Sequence, residues 1–224
     1  MKKDGQNAFH LICEVKKASP SKGIIRENFQ PVEIAKKYEQ GGASAISVLT
    51  DEKYFMGRPE YLREIKKIVS LPVLRKDFII DEYQIIEAKS IGADCILLIA
   101  SILNPKQIKS LAAFAKRLGL EVLIEVRTKE EIDAHCNEHI DLIGVNNRDL
   151  TNFTTHISNS LRLFEYLPKE LVKISESGIS KASQIQELNA VGYDGFLIGN
   201  YFMKHEEPGR ACKNLIDNYY SISK

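Results

Sequence analysis

Short runs of apolar residues alternate along the chain with longer amphipathic stretches. The apolar runs predict eight strands, at residues 9–16, 44–50, 72–78, 94–100, 121–126, 142–147, 172–177 and 195–200. Between them lie helical patterns with apolar residues three and four positions apart, and a glycine follows several of these. Because no change of composition marks a linker, residues 1–224 are predicted to form one domain.

A weak internal repeat supports a fold built from strand and helix units. IGADCILLIA, from residue 91, and VGYDGFLIGN, from residue 191, share a glycine, an aspartate two positions later and an apolar strand, and GGASAISVLT, from residue 41, is a looser copy. Eight such units with nearly continuous apolar strands predict an α/β fold, a single (β/α)8 barrel. A doubly wound open sheet is the second choice, disfavoured because no GxGxxG follows the first strand.

Composition and charge narrow the range of partners. The 31 lysines and arginines nearly balance 30 acidic residues, so the net charge of +1 argues against nucleic acid as a partner. The longest apolar run, CILLIA, is far too short to cross a membrane, and the first ten residues lack the apolar segment of a secretory signal. Four cysteines without a C-x-x-C pair indicate reduced, mostly buried thiols, and a cytoplasmic protein is expected.

Alternation along the strands predicts where the chemistry lies. In a barrel of this kind the active site lies at the carboxyl ends of the strands. On the first strand, Glu14 and Lys16 occupy the face opposite Cys13 and Val15, so they are expected to point into the barrel mouth. The same alternation turns further charged and polar residues inward on the third, fifth, sixth and seventh strands: Lys76, Glu125, Asn146, Arg148 and Glu176.

Two lysines and three carboxylates in one cavity are costly unless they pair with each other or with a substrate. Such clusters shift pKa values and support proton transfer. Ion pairs that merely plug the barrel top are the alternative interpretation. Convergence from four alternate strands favours the catalytic one.

A second pattern indicates a phosphorylated substrate. SESGIS, residues 175–180, and LIGN, residues 197–200, each place a glycine at the carboxyl end of a strand, before a helix, where backbone N–H groups bind phosphate in many barrels. Ordinary turn glycines are the alternative. The loop at residues 17–30 is long for such a connection and predicts a lid, although its SPSKG is not a nucleotide-binding P-loop.

Six motifs resemble those of the indole-3-glycerol phosphate synthase family. They are, in chain order, EVKKASPSKG, LTDEKYFMG, PVLRKDFI, LIEV, GVNNRDL and ISESGI, and the resemblance runs from about residue 9 to residue 204. It implies a lyase of tryptophan biosynthesis that closes the indole ring of 1-(2-carboxyphenylamino)-1-deoxyribulose 5-phosphate, releasing carbon dioxide and water. It also implies that no metal or organic cofactor takes part, and that other enzymes of the pathway are candidate partners.

The resemblance assigns roles by motif. Lys76 would be the general acid and Glu125 the general base, Lys16 would hold the carboxylate or phosphate side of the substrate, and Glu14 and Glu176 would keep the lysines charged and oriented. The remaining expected contacts are polar for Asn146, Arg148 and Ser177, aromatic or apolar for Phe78, Leu97 and Ile99, and to phosphate for Ser19, Gly178, Gly199 and Asn200.

Some features depart from the family pattern. Residues 1–8 precede the first predicted strand where the family usually carries a helical extension over the substrate, so a more open mouth is expected. Asn200 precedes Tyr201 where the family often has a small or acidic residue before a serine.

Two alternative functions stay open at this point. One is a weakly active or non-catalytic phosphate-ligand-binding barrel, and the other is phosphoribosylanthranilate isomerase, which is expected to use a cysteine and an aspartate. The metal-like spacing of His135 and His139 is interpreted as a solvated helix end.

Overall fold

In the computed structural model, which describes residues 9–149 and 154–222, eight parallel strands close into a barrel. Each strand hydrogen bonds to the next, and the last pairs with the first. The strands are β1 (His10–Val15), β2 (Ala45–Leu49), β3 (Val73–Lys76), β4 (Cys95–Ile99), β5 (Glu121–Val126), β6 (Leu142–Asn146), β7 (Val172–Glu176) and β8 (Gly195–Ile198). The predicted (β/α)8 barrel is confirmed and the open sheet is excluded.

Helices cover the outside of the barrel and connect its strands. They are α1 (Pro31–Gln40), α2 (Glu52–Phe55), α3 (Pro59–Lys66), α4 (Glu82–Ser90), α5 (Pro105–Arg117), α6 (Lys129–His135), α7 (Ser158–Leu163), α8 (Ala182–Val191), α9 (Asn200–Met203) and α10 (Pro208–Ile222), with a 3-10 turn at Phe164–Tyr166. In the loop after β1, two short strands, Ala18–Ser19 and Gly23–Ile24, form an antiparallel pair.

Local sequence explains where these helices begin. Proline occupies the first turn of α1, α3 and α5, where its missing N–H costs nothing. The side chains of Asp81 and Asn104 accept hydrogen bonds from backbone N–H groups in the first turns of α4 and α5. In each case the side chain of the glutamine three residues later accepts a hydrogen bond from the backbone N–H of the capping residue. These signals fix where the chain reverses after β1, β2, β3 and β4.

Two apolar layers hold the barrel together. The larger lies between strands and helices and includes Leu11, Cys13 and Val15 of β1. The smaller fills the barrel interior with eight buried residues: Ile12, Ala45, Leu74, Leu97, Ile99, Leu123, Ile174 and Leu197. The split follows the alternation expected from the sequence, and it leaves the carboxyl end of the interior to polar groups.

Other expectations meet the structure at separate points. None of the helices in the described ranges combines the length and apolar character needed to cross a membrane. All four cysteines are free thiols; Cys13 and Cys212 are buried, and Cys95 and Cys136 are half-buried. Residues 1–8, on which the expectation of an uncovered mouth depends, lie outside the described residues.

Candidate active site

A cavity of 620 Å³ opens at the carboxyl ends of the strands. Fourteen of the fifteen residues expected at the site line it: Glu14, Lys16, Lys76, Phe78, Leu97, Ile99, Glu125, Asn146, Arg148, Glu176, Ser177, Gly178, Gly199 and Asn200. The strand geometry alone brings them together, because the end of every barrel strand faces this cavity.

Lys76 lies at the centre of a ring of charged side chains, which we call the charged ring: Glu14, Lys16, Lys76, Glu125 and Glu176. Its Nζ donates to Glu176 Oε2 at 2.6 Å and to Glu125 Oε2 at 3.3 Å, and its side chain is 13% exposed. Burial alone would lower the pKa of Lys76, but the carboxylates of Glu176, Glu125 and Glu14 outweigh it and hold the pKa above its ordinary value. Lys76 is therefore an ammonium, a proton donor whose side chain is largely shielded from solvent.

Glu125 is held as a carboxylate. Burial alone would raise its pKa, but the Lys76 ammonium and the Arg127 guanidinium outweigh burial, a hydrogen bond from Asn146 adds to them, and the pKa falls below its usual range. Arg127 Nη2 donates to Glu125 Oε1 at 2.8 Å. Glu125 is therefore an ionised carboxylate that can accept a proton.

Glu176 differs from Glu125 in its balance of charges. Burial raises the pKa of Glu176, the Lys76 ammonium opposes that rise, and the nearby carboxylates of Glu125 and Glu14 reinforce it, so the pKa lies above its usual range. Glu176 Oε1 has no hydrogen-bond partner among the described residues. Two carboxylates of one ring thus have pKa values displaced in opposite directions.

A second ion pair lies on the β1 side of the cavity. Lys16 Nζ donates to Glu14 Oε1 at 2.5 Å, and both side chains are buried. Gly199, at the end of β8, leaves space for Glu14, because a Cβ there would collide with its carboxylate. Lys16 is therefore fixed at the mouth, where it can meet a negatively charged substrate group.

An aromatic wall closes one side of the cavity. Asp51 Oδ2 accepts hydrogen bonds from Tyr54 N at 2.7 Å and Phe55 N at 3.1 Å, which fixes the start of α2. The rings of Tyr54 and Phe55 lie 5.9 and 6.2 Å from that of Phe78. Phe78 was expected at the site, whereas Tyr54 and Phe55 were not assigned, although LTDEKYFMG was recognised as a motif.

The opposite side has the backbone features expected of a phosphate site. Ser177 and Gly178 both have left-handed backbone conformations, with φ of 68° and 77°. Asn200 Oδ1 is buried and has no hydrogen-bond partner within the described ranges. These residues line the cavity together with Gly199.

Ser19 is the one expected residue outside the cavity wall. It lies in the short strand Ala18–Ser19, and its hydroxyl is buried without a hydrogen-bond partner in the described part of the chain. Its neighbours Pro20 and Ser21 line the cavity instead, and Arg148 Nη1 donates to Ser21 Oγ at 3.3 Å. The role of Ser19 in phosphate binding stays a prediction.

Arg127 was missed in the sequence. It lines the cavity on the same face as Glu125. Strand alternation could have found it, because it lies two positions after Glu125. Arg127 lies one residue beyond the predicted strand, which ends at residue 126.

The interpretation of His135 as part of a solvated helix end was wrong. His135 is buried at the end of α6, and its Nδ1 and Nε2 contact the carbonyl oxygens of Glu131 and Leu103 at 2.9 and 3.1 Å. The Nε2 atom of His139 lies 3.7 Å from the Oε1 atom of Glu138. No group of three or more metal-ligating side chains occurs in residues 9–149 and 154–222.

The fold and the charged cavity define a class: a (β/α)8-barrel enzyme that carries out acid–base chemistry. The family model for indole-3-glycerol phosphate synthase matches residues 1–215. Indole-3-glycerol phosphate synthase of Campylobacter curvus (strain 525.92) is 49% identical over 205 residues, 92% of this chain and 78% of the relative. The protein of that name from Lachnoclostridium phytofermentans is 49% identical over 206 residues, 92% of this chain and 76% of the relative.

The chain belongs to the indole-3-glycerol phosphate synthase family, as its motifs indicated. Its activity is the decarboxylating, dehydrating ring closure of tryptophan biosynthesis on a phosphorylated small molecule, and the alternative functions are not favoured.

Solved structures of other proteins show the fold alone. 3-Hexulose-6-phosphate synthase from Salmonella typhimurium superposes with a TM-score of 0.75 at 14% identity, covering 95% of this chain and 99% of that one. Thiamine phosphate pyrophosphorylase from Pyrococcus furiosus gives 0.72 at 15% identity, covering 99% of this chain and all of that one.

Proposed function

We propose that this chain closes the indole ring with Lys76 as general acid and Glu125 as general base. The observation that carries the proposal is the Lys76 ammonium held between two carboxylates, at 2.6 Å from Glu176 and 3.3 Å from Glu125. A ketone oxygen that gains negative charge needs a cationic donor, and removal of a proton needs a separate carboxylate. The ring supplies both within one cavity.

The two residues act in successive steps. Lys76 gives its proton to the ketone oxygen as the aromatic carbon attacks the ketone carbon and the new C–C bond forms. Loss of carbon dioxide then leaves its bonding electrons with the ring. In the dehydration that follows, Glu125 takes a proton from the carbon next to the one that bears the new hydroxyl, so its carboxylate form has to be present beforehand. The C–O bond breaks, the departing hydroxide takes that proton from Glu125 and leaves as water, and Lys76 regains its own proton from solvent before the next turnover.

The rest of the cavity binds the two ends of the substrate. Lys16, oriented by Glu14, holds the carboxylate or phosphate side, and Glu176 keeps Lys76 charged. The aromatic portion lies against Phe78, Leu97 and Ile99. The polar and phosphate contacts come from six residues of the cavity wall, Asn146, Arg148, Ser177, Gly178, Gly199 and Asn200, and from Ser19, which precedes the wall residues Pro20 and Ser21. We also place the enzyme in the cytoplasm, with neighbouring enzymes of tryptophan biosynthesis as candidate partners and no nucleic acid.

Replacing Lys76 tests its role. Lys76→Ala is expected to lower kcat by about 10²- to 10⁴-fold, because the developing oxyanion loses its proton donor. Turnover is followed by the indole fluorescence of the product. Phosphate binding is followed by the competition of inorganic phosphate with the substrate. Lys173→Ala is the matched control, because Lys173 is also buried but lies outside the cavity wall. Within the described ranges its Nζ donates to the carbonyl oxygens of Lys169 and Leu171 alone.

The outcome distinguishes an acid from a binding residue. Loss of turnover with phosphate binding retained supports the general acid role. Equal loss of binding and turnover would mean that Lys76 holds the substrate instead.

A further inference from the structure

Arg127 is fixed at both ends beside the charged ring. Its Nη2 donates to Glu125 Oε1 at 2.8 Å, and its Nη1 donates to Ser101 Oγ, after β4, at 3.1 Å. Its backbone is held as well, since Glu131 Oε2 accepts from its N–H and Asn159 Nδ2 donates to its carbonyl oxygen. A guanidinium anchored in this way has little freedom to leave Glu125.

Arg127 corrects the charge of the ring. Glu14, Glu125 and Glu176 carry three negative charges against the two positive charges of Lys16 and Lys76, and the substrate that enters is an anion. The guanidinium brings the six groups to neutrality. It does so at Oε1 of Glu125, whereas Lys76 contacts Oε2, so each carboxylate oxygen faces a different cation.

The two cations differ in what happens during catalysis. Lys76 lies closer to Glu176, at 2.6 Å, than to Glu125, at 3.3 Å, and in the proposed mechanism it gives up its proton. Arginine keeps its charge at any pH that proteins tolerate. After the transfer, Arg127 is the cation that remains in contact with Glu125 among the described residues.

We propose that Arg127 is a positioning residue for Glu125, which keeps the carboxylate ionised and oriented until the dehydration step. The proposal deepens the function given above and rests on Glu125 being the general base. It goes beyond the motif resemblance, which assigns nothing to Arg127.

Removal of the guanidinium charge should change the pH dependence of catalysis. The charged and titratable groups that face Glu125 are Lys76 from β3, Glu176 from β7 and Arg127 itself, while Glu14 from β1 acts on Lys76 and Glu176. Without Arg127, Glu125 keeps one partly shared cation, and its pKa rises. A general base with a higher pKa is protonated, and therefore inactive, over a wider acidic range.

The test compares Arg127→Gln, which removes the charge, with Arg127→Lys, which keeps it. For Arg127→Gln, kcat/KM is expected to fall about 10-fold at pH 8 and about 100-fold at pH 6 relative to the unmodified chain. Arg127→Lys should stay within about threefold at both values because a cation remains. Losses that are the same at both pH values, or equal for the two variants, would overturn the proposal.

Three further variants keep the result interpretable. Glu125→Gln tests the base itself, and normal turnover by this variant would contradict the proposed function. If Glu125→Gln is inactive but the loss in Arg127→Gln does not depend on pH, only the role of Arg127 is contradicted. Arg148→Met removes another cation from the cavity, one that contacts Ser21, and should raise KM without steepening the pH profile. Should Arg127→Gln fail to fold, as judged by circular dichroism, Ser101→Ala loosens the same guanidinium with every charge present. It should then give a smaller loss that grows towards low pH, and a flat ratio would reject the proposal.

Discussion

At the scale of single residues, small side chains decide where the large charged ones can go. Gly144 on β6 faces Glu176 so closely that a Cβ would collide with Glu176 Oε1, and that carboxylate is tied to Lys76 at 2.6 Å through its other oxygen. Glu176 therefore cannot turn away without releasing Lys76. The glycine is part of the active-site geometry although it carries no chemistry.

Gly144→Ala should therefore damage catalysis more than folding. The added methyl group displaces Glu176 and leaves Lys76 with Glu125 alone, so kcat is expected to fall about 10- to 100-fold. Gly195→Ala is the matched control, because its methyl group would also point into the barrel, but at the opposite end, against Ile174 Cδ1. Steady-state kinetics and thermal melting separate the two: similar kcat losses in both variants would contradict the argument.

Residue identities could be predicted at the site, and the motif resemblance assigned Glu14 and Glu176 to the lysines, but the contacting atoms could not be predicted. Alternation along the strands predicted that Lys76, Glu125 and Glu176 share a cavity, because the backbone alone sets that geometry. Which oxygen meets which ammonium depends on side-chain torsions that no spacing rule contains. The same limit applies to Ser19, which lies in a local strand pair and outside the cavity wall.

At the scale of elements, the single cap of the short helix α2 fixes the aromatic wall of the cavity. Asp51 fixes the first turn, and the turn presents Tyr54 and Phe55 beside Phe78.

All eight strands of the barrel were predicted because apolar runs bounded by turn residues mark them. Helix α2 and the strand pair Ala18–Ser19 and Gly23–Ile24 were not, because elements of two to four residues are too short to show a period.

Loss of the Asp51 cap should weaken substrate binding. Asp51→Ala removes two hydrogen bonds from the start of α2, at a cost of about 1 kcal/mol, and the loosened aromatic wall is expected to raise KM several-fold with a smaller effect on kcat. Asn104→Ala removes the corresponding cap from α5, where Asn104 Oδ1 accepts from Gln107 N. It should cost similar stability with KM unchanged, and a matching rise in KM would show that Asp51 acts only through stability.

At the scale of the whole molecule, the barrel carries a ring of charge above an apolar interior. The interior layer and the outer layer are separated by strands whose alternate residues serve each in turn, and this is why the fold could be predicted from the sequence. The ring costs desolvation that only its internal pairing offsets. Its groups therefore make unequal contributions to stability, and those contributions depend on pH.

The two inner glutamates should affect stability with opposite pH trends. The pKa of Glu125 is lowered in the folded chain, so its ionisation stabilises the fold above the unfolded pKa of about 4.3, and this contribution is lost as the pH falls through the folded pKa. The pKa of Glu176 is raised, so the folded chain binds that proton more tightly and gains stability as the pH falls through the raised value. Relative to the unmodified chain, Glu125→Gln should therefore cost less free energy of unfolding at pH 4 than at pH 7, and Glu176→Gln should cost more. Urea unfolding at both pH values measures these free energies, and Glu60→Gln, at an exposed position, is the control for losing one charge. If the cost of both substitutions changed in the same direction with pH, Lys76 would be shared equally by the two carboxylates.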